Sequence, residues 1–150
     1  VYDLATGEVV GQVRTASRVL KAADWAPDGR WVLVAGDDDQ PTLWDAAAAG
    51  TTTQYEEVGP YSAGGAWSPD SQRVAVTDAF DQRVLIIDPT GAVDDEELSI
   101  AEDEKLEAAA WSPAGDRLAA VGYGGTVFVW DVTTGGRSSG EAPAGGTNGP

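Results

Sequence analysis

The apolar positions of this chain fall into short runs separated by turns bearing Pro, Gly and Asp, and the runs recur in a fixed order. A run closes on Trp, a turn follows, then an apolar run, a second tight turn, and an apolar run closing on Asp. Three copies open with Trp25-Ala26-Pro27-Asp28-Gly29, Trp67-Ser68-Pro69-Asp70-Ser71 and Trp111-Ser112-Pro113-Ala114-Gly115. They close with Leu43-Trp44-Asp45, Ile86-Ile87-Asp88 and Val129-Trp130-Asp131. The openings lie 42 and 44 residues apart and the closings 43 and 43, while a fourth closing, Val1-Tyr2-Asp3, sits 42 residues upstream.

Each copy predicts four short strands. The first (19–25, 61–67, 105–111) is rich in Ala and Gly, which suits a strand crowded near an axis despite poor strand propensity. The second (31–35, 73–77, 117–121) is apolar on both faces, as in a sheet sandwiched between neighbours. Between these two strands, Pro presets φ for a tight turn. The third runs 41–45, 83–88 and 126–131; Pro41 lacks an amide donor, so the first copy is expected to start at Thr42. Outer strands follow at 8–14, 52–58 and 92–100, but none follows the last closing. Strand-like content at a period of about 40–45 marks a radial array of four-stranded blades. The units are 15–58, 59–101 and 102–134, with 1–14 the end of a preceding blade and 135–150 a Gly/Ser/Pro-rich flexible tail or linker.

Composition narrows the chemistry. The chain has no Cys, so disulfides and thiolate catalysis are out, and no His, which removes the commonest general base and metal ligand. A net charge of −16 argues against a nucleic-acid backbone as partner. No apolar run is long enough to span a membrane. The chain starts at Val1 inside a repeat, so its natural N-terminus is expected upstream.

Local motifs add no chemistry. Gly136-Arg137-Ser138-Ser139-Gly140 has the spacing of a hydrolase nucleophile, but that turn needs a strand-to-helix context and a His. Residues 94–104 hold seven carboxylates without a converging turn and read as a solvated outer strand and loop. Asp37-Asp38-Asp39 reads as a turn, since Asp bonds its own backbone. Gly122-Tyr123-Gly124-Gly125 leads into a strand, so no helix terminus awaits a phosphate. No catalytic residue, cofactor or metal site is expected. Among the six Trp, Trp25, Trp67 and Trp111 share one repeat position and Trp44 and Trp130 another, both core; Trp31 has no counterpart and is expected to be partly exposed.

The Trp-Ser-Pro-Asp-Gly-like turns, the paired apolar strands and the Trp-Asp closings at 44–45 and 130–131 resemble the WD-repeat β-propeller family across residues 1–134. The resemblance implies an all-β fold of roughly three WD-type four-stranded antiparallel blades, an open arc and not a closed ring. The family's buried turn aspartate matches Asp38 and Asp81, whereas the third copy has Gly124; the family's Gly-His pair is absent. The hydrogen-bond network joining Asp, His, Ser/Thr and Trp therefore cannot form, and stability must come from apolar packing. Asp45, Asp88 and Asp131 complete the structural repeat positions.

By the same resemblance, partners dock at the residue six before each opening Trp and the residue before the turn aspartate. Those positions are Val19, Tyr61 and Lys105, then Asp37, Phe80 and Tyr123. The implied role is a protein–protein interaction scaffold or regulatory module within a longer propeller, not an enzyme, with self-association through open blade edges as a further expectation. The alternative is an accessory propeller of a larger enzyme, such as a bacterial Ser/Thr kinase, a signalling ATPase or a peptidase.

Overall fold

The computed structural model describes residues 1–15, 18–37, 40–47, 51–55, 58–59, 61–62, 64–92, 95–100 and 104–133. Within them the chain forms eleven strands and no helix: β1 (Leu20–Trp25), β2 (Trp31–Gly36), β3 (Thr42–Asp45), β4 (Thr51–Gln54), β5 (Gly65–Trp67), β6 (Val74–Asp78), β7 (Arg83–Ile87), β8 (Glu96–Ser99), β9 (Leu106–Trp111), β10 (Arg117–Gly122) and β11 (Val127–Asp131). They pair as three antiparallel meanders, β1-β2-β3-β4, β5-β6-β7-β8 and β9-β10-β11. The inner strand β5 adjoins both β1 and β9, so the sheets stand side by side as an open arc.

The strand ends follow turn chemistry. β3 begins at Thr42, just past Pro41. β5 keeps only Gly65–Trp67 of the expected 61–67, because Gly64 N–H donates to the Thr77 hydroxyl at 3.0 Å and Ser62 Oγ turns towards Gly36 O. The outer strands are also shorter than expected. Residues 8–14 form no named strand, and one antiparallel bridge, Tyr2 with Val9, ties them to the Val1-Tyr2-Asp3 closing. In every repeat the closing aspartate caps the turn after it: Asp3, Asp45, Asp88 and Asp131 accept from the N–H of Ala5, Ala47, Thr90 and Thr133 at 2.7–3.0 Å. This is the local bond that favours Asp in turns.

Two cores fill the gaps between blades. Leu33 and Leu43 of the first blade meet Val74, Val76, Leu85 and Ile87 of the second. The opposite face of the second blade, Ala75, Val84 and Ile86, meets Leu118, Ala120, Phe128 and Trp130 of the third. A smaller cluster, Val32, Val34 and Trp44, faces the other side of the first blade and is covered by Val13. There a Cβ added to Gly11 would lie 2.7 Å from Trp44 Cη2, so the N-terminal segment runs in direct contact with the indole.

The blade-opening tryptophans explain the one reversal in the core. Trp111 leans back onto the second blade, donating Nε1–H to Ala66 O at 3.0 Å with Arg73 stacked 4.8 Å over its ring. One repeat earlier, Trp67 packs in the same core as Trp31, which stands where Arg73 stands. Trp31 is therefore 8% exposed, against the expectation that it would be the exposed one. Trp25, expected in the core, is instead 43% exposed, with no blade among the described residues set to receive its ring.

The closing tryptophans are buried, and Trp44 Nε1, Trp130 Nε1 and Thr42 Oγ1 have no hydrogen-bond partner among the described residues. With no His in the chain, these groups are held by packing alone.

Candidate interaction site

One backbone rung recurs at the rim of all three blades. The N–H of Asp37 donates to Val19 O at 3.1 Å, that of Ala79 to Tyr61 O at 3.2 Å, and that of Tyr123 to Lys105 O at 2.9 Å. These bonds bring the start of each inner strand beside the end of its neighbour. Five of the six residues expected to dock a partner occupy this rung. Phe80 does not, since Ala79 holds the equivalent place and Phe80 lies one residue further into the turn.

The displacement follows from one extra residue in this turn, since Trp67 and Asp88 are 21 apart whereas Trp25 and Asp45, and Trp111 and Asp131, are 20 apart. Asp78 occupies the position of Gly36 and Gly122, each 11 residues after its opening Trp. Asp78 is fully buried and collects the turn around itself. Its carboxylate accepts from the N–H of Gly59 at 3.0 Å and from those of Phe80 and Asp81 at 3.1 Å. The Arg83 guanidinium lies 3.5 Å from it. Asp81, expected as the buried turn aspartate, is exposed and pairs with Arg83 at 3.2 Å. Burial of Arg83 works against its charge, but the Glu97 hydrogen bond and the Asp78 and Asp81 carboxylates outweigh it and push its pKa up. In the third blade, where both slots are glycine, the Glu104 carboxyl lies against Gly122 and Gly124. Asp38 is outside the described residues.

The three aromatics stand out from this rim: Tyr61 is 53%, Phe80 68% and Tyr123 82% exposed. A cavity of about 460 Å³ opens beside them. It is lined by Lys21 and Asp37 from the first blade, Tyr61, Ala79 and Phe80 from the second, and Lys105 and Glu107 from the third. Four of the six anticipated residues thus share one cavity, while Val19 and Tyr123 lie outside its lining. Lys21 and Glu107 were not anticipated. Each sits where the pairing of its inner strand slips, Lys21 between Leu20 and Ala22 of β1 and Glu107 between Leu106 and Ala108 of β9, an irregularity that re-aims a side chain. Lys21 Nζ is 3.1 Å from Asp37 Oδ2, and both side chains are solvent-accessible. No group of three acidic side chains placed to hold a metal occurs among the described residues.

The sequence pattern matches the WD domain, G-beta repeat family over residues 8–45 and 101–131. Those two stretches carry WD repeats. The solved β-propeller domain of Cps50 (Swd1) from Myceliophteria thermophila superposes with a TM-score of 0.73 at 21% identity, over 95% of this chain and 48% of that one. Hydrazine synthase from Kuenenia stuttgartiensis superposes with a TM-score of 0.72 at 21% identity, over 95% of this chain and 42% of that one. At that identity the likeness is one of fold, and the WD-repeat chain spans less than half the length of either structure. No curated protein matches the sequence.

Proposed function

We propose that this chain is a segment of a longer WD-repeat propeller and that it serves as a non-catalytic interaction scaffold or regulatory module, gripping a protein partner at the rim cavity. One observation carries the reading: equivalent positions of three blades converge on a cavity that leaves Tyr61 and Phe80 exposed. Aromatic rings beside a pocket are the residue type that anchors protein interfaces. The rigid sheets beneath hold the rim loops in place, as repeat arrays do.

The remainder of the propeller has a seat. Leu33 and Leu43 are covered by the second blade, and Ala75, Val84 and Ile86 by the third. The matching face of the third blade leaves Val121, Val127 and Val129 exposed. Such a face accepts a further blade or self-associates through its open surface.

Site-specific photo-crosslinking tests the docking reading. A benzoylphenylalanine at position 80 of the full chain is expected to capture discrete protein adducts from an extract of the source cells. The same group at position 114, in the exposed turn after Trp111, is expected to capture none of them. Equal adducts at both positions, or none at position 80, would defeat the assignment.

A further inference from the structure

Resting on that docking reading, we infer that the rim cavity takes a single acidic side chain, an Asp or Glu flanked by apolar residues in an extended segment of a partner protein. The chain has two lysines, Lys21 and Lys105, and both line this cavity. Against a net charge of −16, two ammonium groups balance the two carboxylates of Asp37 and Glu107 here, so the cavity is a neutral island on an acidic molecule. A cationic partner would find carboxylates over most of the surface and would meet both lysines only at this point. An anion placed here meets both lysines of the chain at once.

The donors are arranged for one carboxylate. Lys21 is already held by Asp37 at 3.1 Å. Lys105 is exposed and makes no salt bridge among the described residues, so it is the ammonium open to a ligand. Tyr61 contributes a neutral phenolic hydroxyl, and with Phe80 it gives apolar walls against which the flanking residues pack. A low-dielectric wall strengthens a charge-assisted hydrogen bond beside it. Glu107, near the start of β9 and two residues after Lys105, opposes a second negative charge. The preference is therefore for one acid, not an acidic run.

The test is selection of a random peptide library displayed on phage against the immobilised full chain, followed by anisotropy measurements on synthetic peptides made from the enriched sequences. Enriched peptides are expected to carry one Asp or Glu next to Leu, Ile or Phe. Lys105→Gln should weaken binding about tenfold, the size of one charge-assisted hydrogen bond. Amidating the acid of the peptide should cost the same on the unaltered chain and nothing more on Lys105→Gln, since the two changes remove one contact. Thermal melting confirms that this exposed substitution leaves the fold intact. Peptides that are basic or uncharged, yet lose binding on Phe80→Ala, would overturn the acidic preference and leave the docking reading standing. Absence of enrichment, or binding indifferent to both Phe80→Ala and Lys105→Gln, would overturn both.

Discussion

At the scale of single residues, carboxylates satisfy the backbone N–H groups of the turns, and three predictions follow from particular atoms. Asp78 is wholly buried and faces Arg83. Arg83→Met leaves that carboxylate without its counter-charge and should cost about 3–5 kcal/mol in urea unfolding, with Asp78→Asn in the same chain restoring part of the loss. Ser71 adopts φ of 62°, where Gly29 and Gly115 stand in the sister repeats, and its Oγ accepts from Asp28 N across the blade boundary at 3.0 Å. Ser71→Ala keeps the strained backbone and loses that bond, so a melt should report a loss of about 1 kcal/mol. Ser71→Gly loses the bond but relieves about the same strain and should be close to neutral.

Tyr55 answers to pH. Burial, aided by the charges of Asp95 and Asp88, pushes its phenol from 10.0 up to about 12. The folded chain thus holds this proton more tightly than the unfolded one. The resulting stability is intact below pH 10.0 and is lost as pH rises through about 12. A phenolate absorbance titration should show one late step, and Tyr55→Phe should remove it.

At the scale of elements, the period, strand order and turn positions were legible because each is a local signal: Pro and Asp in turns, apolar runs between them, Trp and Asp at fixed spacing. What failed to show depends on neighbours. Trp25 and Trp31 differ in burial because each inner-strand indole rests on the blade before it: Trp67 shares a core with Trp31, whereas no blade among the described residues underlies Trp25. The shift from Phe80 to Ala79 is different in kind: it was legible as one extra residue between Trp67 and Asp88, 21 apart against 20 in the other two copies, and the lengthened turn gathers around the Asp78 carboxylate. Lys21 and Glu107 became part of the rim only once three strands converged on one cavity. The measurable counterpart is a contrast between equivalent residues. Trp111→Ala, which strips an indole from a blade junction, should cost about 3–5 kcal/mol in denaturant unfolding. Trp25→Ala should cost about 1 kcal/mol or less, as expected of a surface position.

At the scale of the molecule, the arc ends in two unlike surfaces. The third blade presents Val121, Val127 and Val129 bare, whereas the first blade buries Val32, Val34 and Trp44 beneath the N-terminal segment. Replacing Val127 and Val129 with Lys should reduce concentration-dependent association in light scattering while leaving the melting temperature nearly unchanged, because neither side chain packs in a core. The covered end is governed differently. Since Gly11 rests on the Trp44 ring with no room for a Cβ, Gly11→Ala forces the segment away from the blade. One methyl group therefore acts as a latch release, converting a capped terminus into an adhesive one. The two ends of the arc would then become chemically alike, and a chain that had one sticky end could polymerise head to tail.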